Sequence, residues 1–104
     1  MPVRKEETVQ DLIFYIDGEV DHHNSLALRE EIDREIAETR AERVVLDLSQ
    51  TTFCDSSALG LILGRVRVAN EEGLTLCVRN ASARAEKILR LCGAGDYLTF
   101  LKTS

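Results

Sequence analysis

The sequence lacks the features that divide a chain into domains or place it in a membrane. Pro2 is the single proline among 104 residues, and no low-complexity tract or serine-rich linker interrupts the chain. No apolar run approaches the roughly 20 residues that a helix needs to cross a bilayer. The first residues do not have the basic start and apolar run of a secretory signal. We therefore expect a single domain over residues 1–104, located in the cytoplasm and independent of membranes.

Concentrated basic charge is also missing. The chain has 13 lysines and arginines against 18 aspartates and glutamates, which gives a net charge of −5, and its basic residues are scattered. Proteins that bind phosphate backbones or anionic lipids usually concentrate Lys and Arg on one surface. Neither nucleic acid nor a membrane is therefore expected as a partner.

Cysteine and histidine are too few and too poorly spaced for a metal site. Cys54, Cys77 and Cys92 lack C-x-x-C spacing and have apolar neighbours, which is typical of small buried side chains. The two histidines, His22 and His23, are adjacent, and adjacent side chains on an extended loop usually diverge. No Walker or dinucleotide-binding loop is present. We expect neither a metal nor a cofactor.

Hydrophobic spacing predicts strands that alternate with helices. Alternating or short apolar runs predict strands at residues 3–8, 11–17, 43–48, 74–78 and 97–101. Apolar residues at helical spacing predict helices at residues 24–41, from the serines at 56 and 57 to about 72, and at 83–92. The order ββαβαβαβ indicates an α/β fold, with a small mixed sheet of about four to five strands and helices packed against it.

Local signals mark the helix ends. Asn24 or Ser25 is expected to cap the first helix, and Ser82 the third, because their side chains can accept hydrogen bonds from free N–H groups. Gly73 fits the left-handed position that follows a helix, and Gly93 is expected to stop the third helix.

Two predicted loops, residues 17–24 (DGEVDHHN) and 49–57 (SQTTFCDSS), contain most of the polar candidates for a site. Loops at the carboxyl ends of parallel strands commonly form binding sites. At the end of the second loop, Asp55 or Ser56 can simply cap the following helix. Alternatively, the hydroxyl is a phosphorylation site, because a helix N-terminus tolerates a dianion. The residues alone leave both interpretations open.

A serine hydrolase is a poorer interpretation of the same residues. Neither Ser56 nor Ser57 lies in a G-x-S-x-G turn, and no suitably placed base is evident. We therefore do not expect a serine hydrolase.

Three segments, in this order, resemble a known family: GEVDHHN at 18–24, VVLDLSQTTFCDSSALGLILGR at 44–65, and LTLCVRNASARAEKILRLCGAGDYLTF at 74–100. The chain is similar to the anti-sigma factor antagonists of the STAS domain family, above all to those that control sigma-F during sporulation. The resemblance covers nearly the whole chain. It implies the STAS fold and a cytoplasmic, monomeric regulator of sporulation or of a stress response that is not itself an enzyme.

The resemblance also implies a switch between binding partners. The unmodified protein would bind an anti-sigma factor that is also a serine kinase and thereby release the sigma factor. Phosphorylation of Ser56 would end this complex, and a phosphatase of the PP2C type would restore it. The implied partner-binding residues are those around the serine: Asp21, His22, His23, Asp55, Ser56, Ser57 and Ala58. Ser57 would serve as a helix-cap hydroxyl.

One residue departs from the family pattern. Ala58 stands where relatives usually have glycine, and its methyl group is expected to crowd a kinase that approaches Ser56. The alternative function is a STAS module without a phosphorylation cycle, acting as a structural subunit of a signalling or lipid-transport assembly. In that case Ser56 would only cap its helix.

Overall fold

A computed structural model describes residues 3–21, 23–53, 56–93 and 96–101. These residues form seven strands and three helices. The strands are β1 Val3–Glu7, β2 Asp11–Ile16, β3 Gly18–Val20, β4 Arg43–Asp47, β5 Thr51–Phe53, β6 Thr75–Arg79 and β7 Leu98–Leu101. The helices are α1 Ser25–Glu38, α2 Ser56–Glu71 and α3 Ala83–Leu91.

The main sheet has five strands in the order β1-β2-β4-β6-β7. Strands β1 and β2 form an antiparallel hairpin, and every other neighbouring pair is parallel. Each parallel connection contains a helix, as crossovers between parallel strands require. The predicted mixed sheet of an α/β fold is confirmed, and its five strands and three helices follow the predicted order.

A second, two-stranded sheet lies outside this order. Strands β3 and β5 pair in parallel within segments that the sequence predicted as loops. Each has three residues, too few to display an alternating pattern. Gly18 has a φ of +83°, a value that favours glycine, and its N–H donates to the Gln50 carbonyl at 2.7 Å. This turn lets the chain leave β2 and pair with β5.

The main core lies on one face of the five-stranded sheet, beneath all three helices. Alternate strand residues such as Phe14, Leu46 and Val78 point into it and are at most 1% exposed. The helices contribute Leu28, Ile32 and Ile36 from α1, Leu61, Ile62 and Val66 from α2, and Leu89 from α3. Burial of these side chains at roughly 1.5–3 kcal/mol each is the main force that holds the helices on the sheet.

The opposite face, here called the open face, has a small apolar cluster of Ile13, Val45 and Cys77, to which no described helix residue belongs. Arginine–carboxylate pairs flank this cluster: Arg43–Asp11 at 2.7 Å, Arg79–Asp47 at 2.7 Å and Arg4–Asp17 at 3.1 Å. The Tyr15 ring lies between the guanidinium groups of Arg4 and Arg79, 5.1 and 5.5 Å from its centroid. Charged side chains therefore cover this face in place of a helix.

The helix ends agree with the sequence predictions after α2 and at both ends of α3, but not at the start of α1. The Ser82 hydroxyl accepts from the Ala85 N–H at 3.0 Å, and Gly73 and Gly93 have φ values of +75° and +81°. At α1, however, the Asn24 side chain accepts no hydrogen bond from the helix. Its Oδ1 accepts from the Asp21 N–H instead, so Asn24 orders the loop that precedes the helix.

The cysteines differ from one another. Cys77 is buried as predicted, but Cys92 is exposed because it follows the last residue of α3 and points away from the core. Cys54 lies outside the described residues. Among the helices of the described ranges, none is long and apolar enough to span a membrane.

Candidate functional site

The pairing of β3 with β5 brings the two polar segments together. The parallel register places Val20 opposite Phe53. Asp21 directly follows β3, and the start of α2 at Ser56 is three residues beyond β5. Since parallel strands end at the same edge of a sheet, the chain leaves β3 towards Asp21 and leaves β5 towards α2 at the same edge of the small sheet.

Asp21 organises the turn that leads into α1. Its Oδ1 accepts hydrogen bonds from the N–H groups of His23 at 2.9 Å and Asn24 at 3.0 Å. Its carbonyl accepts from the Ser25 N–H at 3.0 Å, and Asn24 Nδ2 donates to the Glu19 carbonyl at 2.8 Å. The side chain therefore has a structural task, which sequence reasoning did not assign to it. Asp21 is partly buried, so the other part of its surface faces solvent.

The serines occupy the first turn of α2. Ser56 is the first residue of the helix and Ser57 the second, so both backbone N–H groups belong to the turn that lacks partners within the helix. The capping role of Ser57 stays a prediction. Asp55 and His22, two further members of the predicted site, lie outside the described residues.

Ala58 and His23 differ sharply in exposure. Ala58 is 1% exposed and packs in the main core, because the third position of α2 shares a helix face with Ile62 and Leu61. The methyl group of Ala58 therefore points away from solvent, and this gives no support to a contact with a kinase or another partner. His23 is exposed in the loop before α1. The sequence motif did not indicate that position 58 is buried, because Ala58 directly follows a run of polar residues.

Next to the serines, α1 packs against α2, and a groove of about 310 Å³ lies between their first turns. Ser25, Leu26 and Arg29 of α1 and Gly60 and Leu61 of α2 line it, and we call it the α1–α2 groove. Sequence analysis did not identify it. A signal was present, however, because Leu26 lies outside the buried stripe of Leu28, Ile32 and Ile36, and its side chain is 52% exposed.

A buried arginine lies between the same two helices. The Arg65 side chain is 3% exposed, and its Nε lies 2.7 Å from Oδ1 of Asp33, which is 33% exposed. Despite this short distance, Nε and Nη1 of Arg65 form no hydrogen bond of suitable geometry with the described residues. Burial lowers the pKa of Arg65; Asp33 opposes this shift, and the positive charges of Arg29 and Arg67 add to it. The contact is an ion pair whose hydrogen bonds are incomplete.

Within the described ranges, no three histidine, cysteine, aspartate or glutamate side chains are close enough to hold a metal ion. The chemistry of the site is thus that of a helix N-terminus with hydroxyls, an acidic loop and a groove with both apolar and cationic walls.

Comparison with known proteins identifies the family. The sequence profile of the STAS domain matches residues 2–104. The chain belongs to the STAS domain family. A curated relative, the anti-sigma F factor antagonist of Paenibacillus polymyxa, is 37% identical over 82 residues, which cover 79% of this STAS domain and 70% of the relative. A second, from Lysinibacillus sphaericus, is 28% identical over 91 residues and covers 88% and 78% of the two chains. The predicted resemblance to anti-sigma factor antagonists is confirmed.

Solved structures agree with this assignment at the level of the fold. The anti-sigma factor antagonist SpoIIAA in its unphosphorylated form has a TM-score of 0.78 and 24% identity, with 98% of this STAS domain and 88% of that chain covered. The phosphorylated form of SpoIIAA from Bacillus has a TM-score of 0.77 and 24% identity, with 98% and 91% covered. The STAS domain thus resembles both forms of that protein to the same degree.

Proposed function

We propose that this STAS domain is an anti-sigma factor antagonist that is switched off by phosphorylation of Ser56. In its unmodified form it binds an anti-sigma factor that is also a serine kinase, and this binding releases the sigma factor in the cytoplasm. The kinase transfers the γ-phosphoryl group of ATP to the Ser56 hydroxyl, with ADP as the other product, and the complex dissociates. A PP2C-type phosphatase hydrolyses the phosphoserine and restores the binding form. The STAS domain itself catalyses no step.

The observation that carries this proposal is the position of Ser56 as the first residue of α2, at the edge where β3 and β5 end together. The free N–H groups and the positive end of the helix dipole favour a dianion at this position. Phosphorylation is therefore compatible with an intact fold. The similarity of this fold to both forms of SpoIIAA supports the same conclusion.

The surroundings of Ser56 give a reason why the same phosphate would weaken binding. Asp21 follows β3 at the edge of the small sheet where β5 also ends, and the chain as a whole has a net charge of −5. A partner surface that fits a neutral hydroxyl beside these acids has no cation ready to compensate two added charges, and burial of an unpaired charge is costly. We expect an affinity loss of at least about 100-fold, which corresponds to about 3 kcal/mol.

The test compares two substitutions of Ser56 in a binding assay with the purified anti-sigma factor of the same organism. Ser56→Asp should bind at least about 100-fold more weakly than the wild-type protein, and Ser56→Ala should bind with nearly unchanged affinity. Ser82→Asp is the matched control. Ser82 caps α3, and an aspartate there keeps the cap while it adds the same charge at the start of that helix.

Phosphorylation is then measured directly. Incubation with the anti-sigma factor and ATP should add one phosphate to the wild-type protein and to Ser57→Ala, but none to Ser56→Ala, as read by mass spectrometry. A phosphate on any other residue would contradict the assignment. Stable binding that ATP never reverses would instead favour a structural subunit without a phosphorylation cycle.

A further inference from the structure

The α1–α2 groove has positive charge that the described part of the chain does not neutralise. Arg29 lines the groove, is exposed, and forms no ion pair with a described residue. The positive charges of Arg65 and Arg29 repel each other, and Arg65 has Asp33 as its ion-pair partner. Asp33 therefore pairs with Arg65, and the charge of Arg29 is paired with no described carboxylate, in a chain whose net charge is −5. An anion from outside this domain would complete the charge balance.

The groove also offers an apolar wall and an open backbone. Leu26 is 52% exposed beside Arg29, although large exposed apolar side chains are few in the described residues. Gly60 is exposed in the middle of the N-terminal half of α2, and among the described residues no atom lies within 4 Å of the Cβ that another residue would have there. Packing of the described residues therefore does not require glycine at this position, where glycine weakens the helix. A close approach by the backbone of another chain would require glycine at this position.

We propose that the α1–α2 groove receives a short acidic and apolar segment of the anti-sigma factor. A carboxylate of this segment pairs with Arg29, its apolar neighbour packs on Leu26, and its backbone crosses α2 at Gly60. The inference rests on the proposed function and adds to it the part of the surface that selects the partner. A second copy of this chain fits less well, because a two-fold contact centred on the groove would bring the Arg29 side chains of both copies together.

The first test reverses the charge at Arg29. Arg29→Glu should weaken binding to the purified anti-sigma factor by at least about tenfold, because a carboxylate would then face the acidic segment. Arg34→Glu makes the same change on an exposed position of α1 that does not line the groove, and it should change the affinity less than about twofold. The melting temperature of Arg29→Glu should change little, because the side chain at position 29 is exposed.

The second test removes the apolar wall. Leu26→Ala should weaken binding by about fivefold or more, because a partner side chain loses its contact. Leu91→Ala is the matched control, since Leu91 is a 76% exposed leucine on α3 that does not line this groove. Its affinity should equal that of the wild-type protein.

Salt dependence separates a specific pair from general repulsion. The affinity of the wild-type protein should decline as NaCl rises from 50 to 500 mM, and that of Arg29→Glu should decline less or increase. Equal affinities of wild type, Arg29→Glu and Leu26→Ala would overturn the inference, and so would equal losses in Arg29→Glu and Arg34→Glu. If the wild-type protein itself did not bind the anti-sigma factor, both the proposed function and the inference about the groove would be wrong.

Discussion

The open face of the sheet and the space between α1 and α2 are both rich in arginine and carboxylate, but they use these groups differently. On the open face, Arg43 forms two hydrogen bonds with Asp11, at 2.7 and 3.0 Å, and Arg79 donates to Asp47 at 2.7 Å. Between the helices, Arg65 approaches Asp33 without a well-formed hydrogen bond, and Arg29 has no ion-pair partner among the described residues.

This difference separates charge that maintains the fold from charge that is available for binding. A bidentate arginine–carboxylate pair satisfies both partners and leaves little for another molecule to recognise. An arginine with unused donors is costly inside a protein unless a further partner supplies acceptors. The open face is therefore a completed structural surface, whereas the exposed Arg29 of the α1–α2 groove is available to the acidic partner segment proposed above.

Acid should have the largest effect, because it removes the charge of every carboxylate on the open face. The hydrogen bond from Arg43 lowers the pKa of Asp11. Burial opposes ionisation of Asp47, but hydrogen bonds from Ser49 and Arg79 outweigh it, so its pKa is lowered as well. Carboxyls with a lowered pKa stabilise the fold fully above their unfolded pKa of about 4, and this stability is lost as the pH falls through the folded pKa. The free energy of unfolding should therefore decline steadily between about pH 5 and pH 2.

Urea denaturation at a series of pH values measures this decline. The Asp47→Asn variant is the control, and its stability should depend less on pH over the same interval, because one of the responsible carboxyls is gone. A wild-type free energy that stayed constant from pH 5 to pH 2 would show that these pairs contribute nothing to the fold.

Asp47→Asn should be the most damaging single substitution on the open face. The Asp47 carboxylate is 4% exposed and accepts from the Ser49 N–H at 2.9 Å, Arg79 Nε at 2.7 Å and Asn80 Nδ2 at 3.2 Å. An amide cannot accept at both positions, so we expect a loss of about 2–4 kcal/mol in the free energy of unfolding at pH 7.

Asp11→Asn is the matched control for Asp47→Asn. The side chains of Asp11 and Arg43 are 19% and 34% exposed, so water can replace much of their interaction, and the loss should be about 1 kcal/mol or less. Equal losses in the two variants would mean that burial does not decide the strength of these pairs.

The pair between the helices should respond asymmetrically, in contrast to the open face. Asp33→Asn leaves the buried guanidinium of Arg65 without a carboxylate and should cost about 2 kcal/mol, reduced by the solvent that reaches position 33. Arg65→Met removes the buried charge and leaves a solvated Asp33, so its stability should lie within about 1 kcal/mol of wild type. Urea denaturation at pH 7 measures both variants. Equal losses would mean that Arg65 is as well satisfied as the arginines of the open face.

The sequence predicted the regular parts of this molecule because their signals are local. The short apolar run of β4 and the cap at Ser82 follow from neighbouring residues alone. Strands β3 and β5 could not be predicted in this way, because each has only three residues and forms by pairing with the other. The same holds for the burial of Arg65, because its partner Asp33 is 32 residues away on another helix and an arginine in a helix usually faces solvent.

The candidate site shows the same limit. Its motif and the likeness to a family pointed to Ser56, but the sequence could not show that Asp21 holds a turn by accepting from His23 and Asn24. It also could not show that Ala58 faces the core or that Leu26 and Gly60 line one groove. These properties arise only when α1 and α2 pack together, so they depend on tertiary structure rather than on local pattern.

The smallest expected effect concerns the two glycines of α2, and it tests whether the groove is reserved for a partner. In the part of the chain that the structure describes, neither Gly60 nor Gly64 has an atom within 4 Å of an added Cβ. Each substitution to alanine should therefore raise the free energy of unfolding by up to about 1 kcal/mol through helix propensity. Only Gly60 lines the α1–α2 groove.

Binding to the anti-sigma factor should therefore distinguish two variants that are alike in stability. Gly60→Ala adds a methyl group where the partner backbone is expected to approach, and its affinity should fall several-fold despite the more stable fold. Gly64→Ala, one turn further along the helix, should bind as tightly as the wild-type protein. If Gly60→Ala bound equally well, the groove would have no close contact with the partner, and the unpaired charge of Arg29 would need a different explanation.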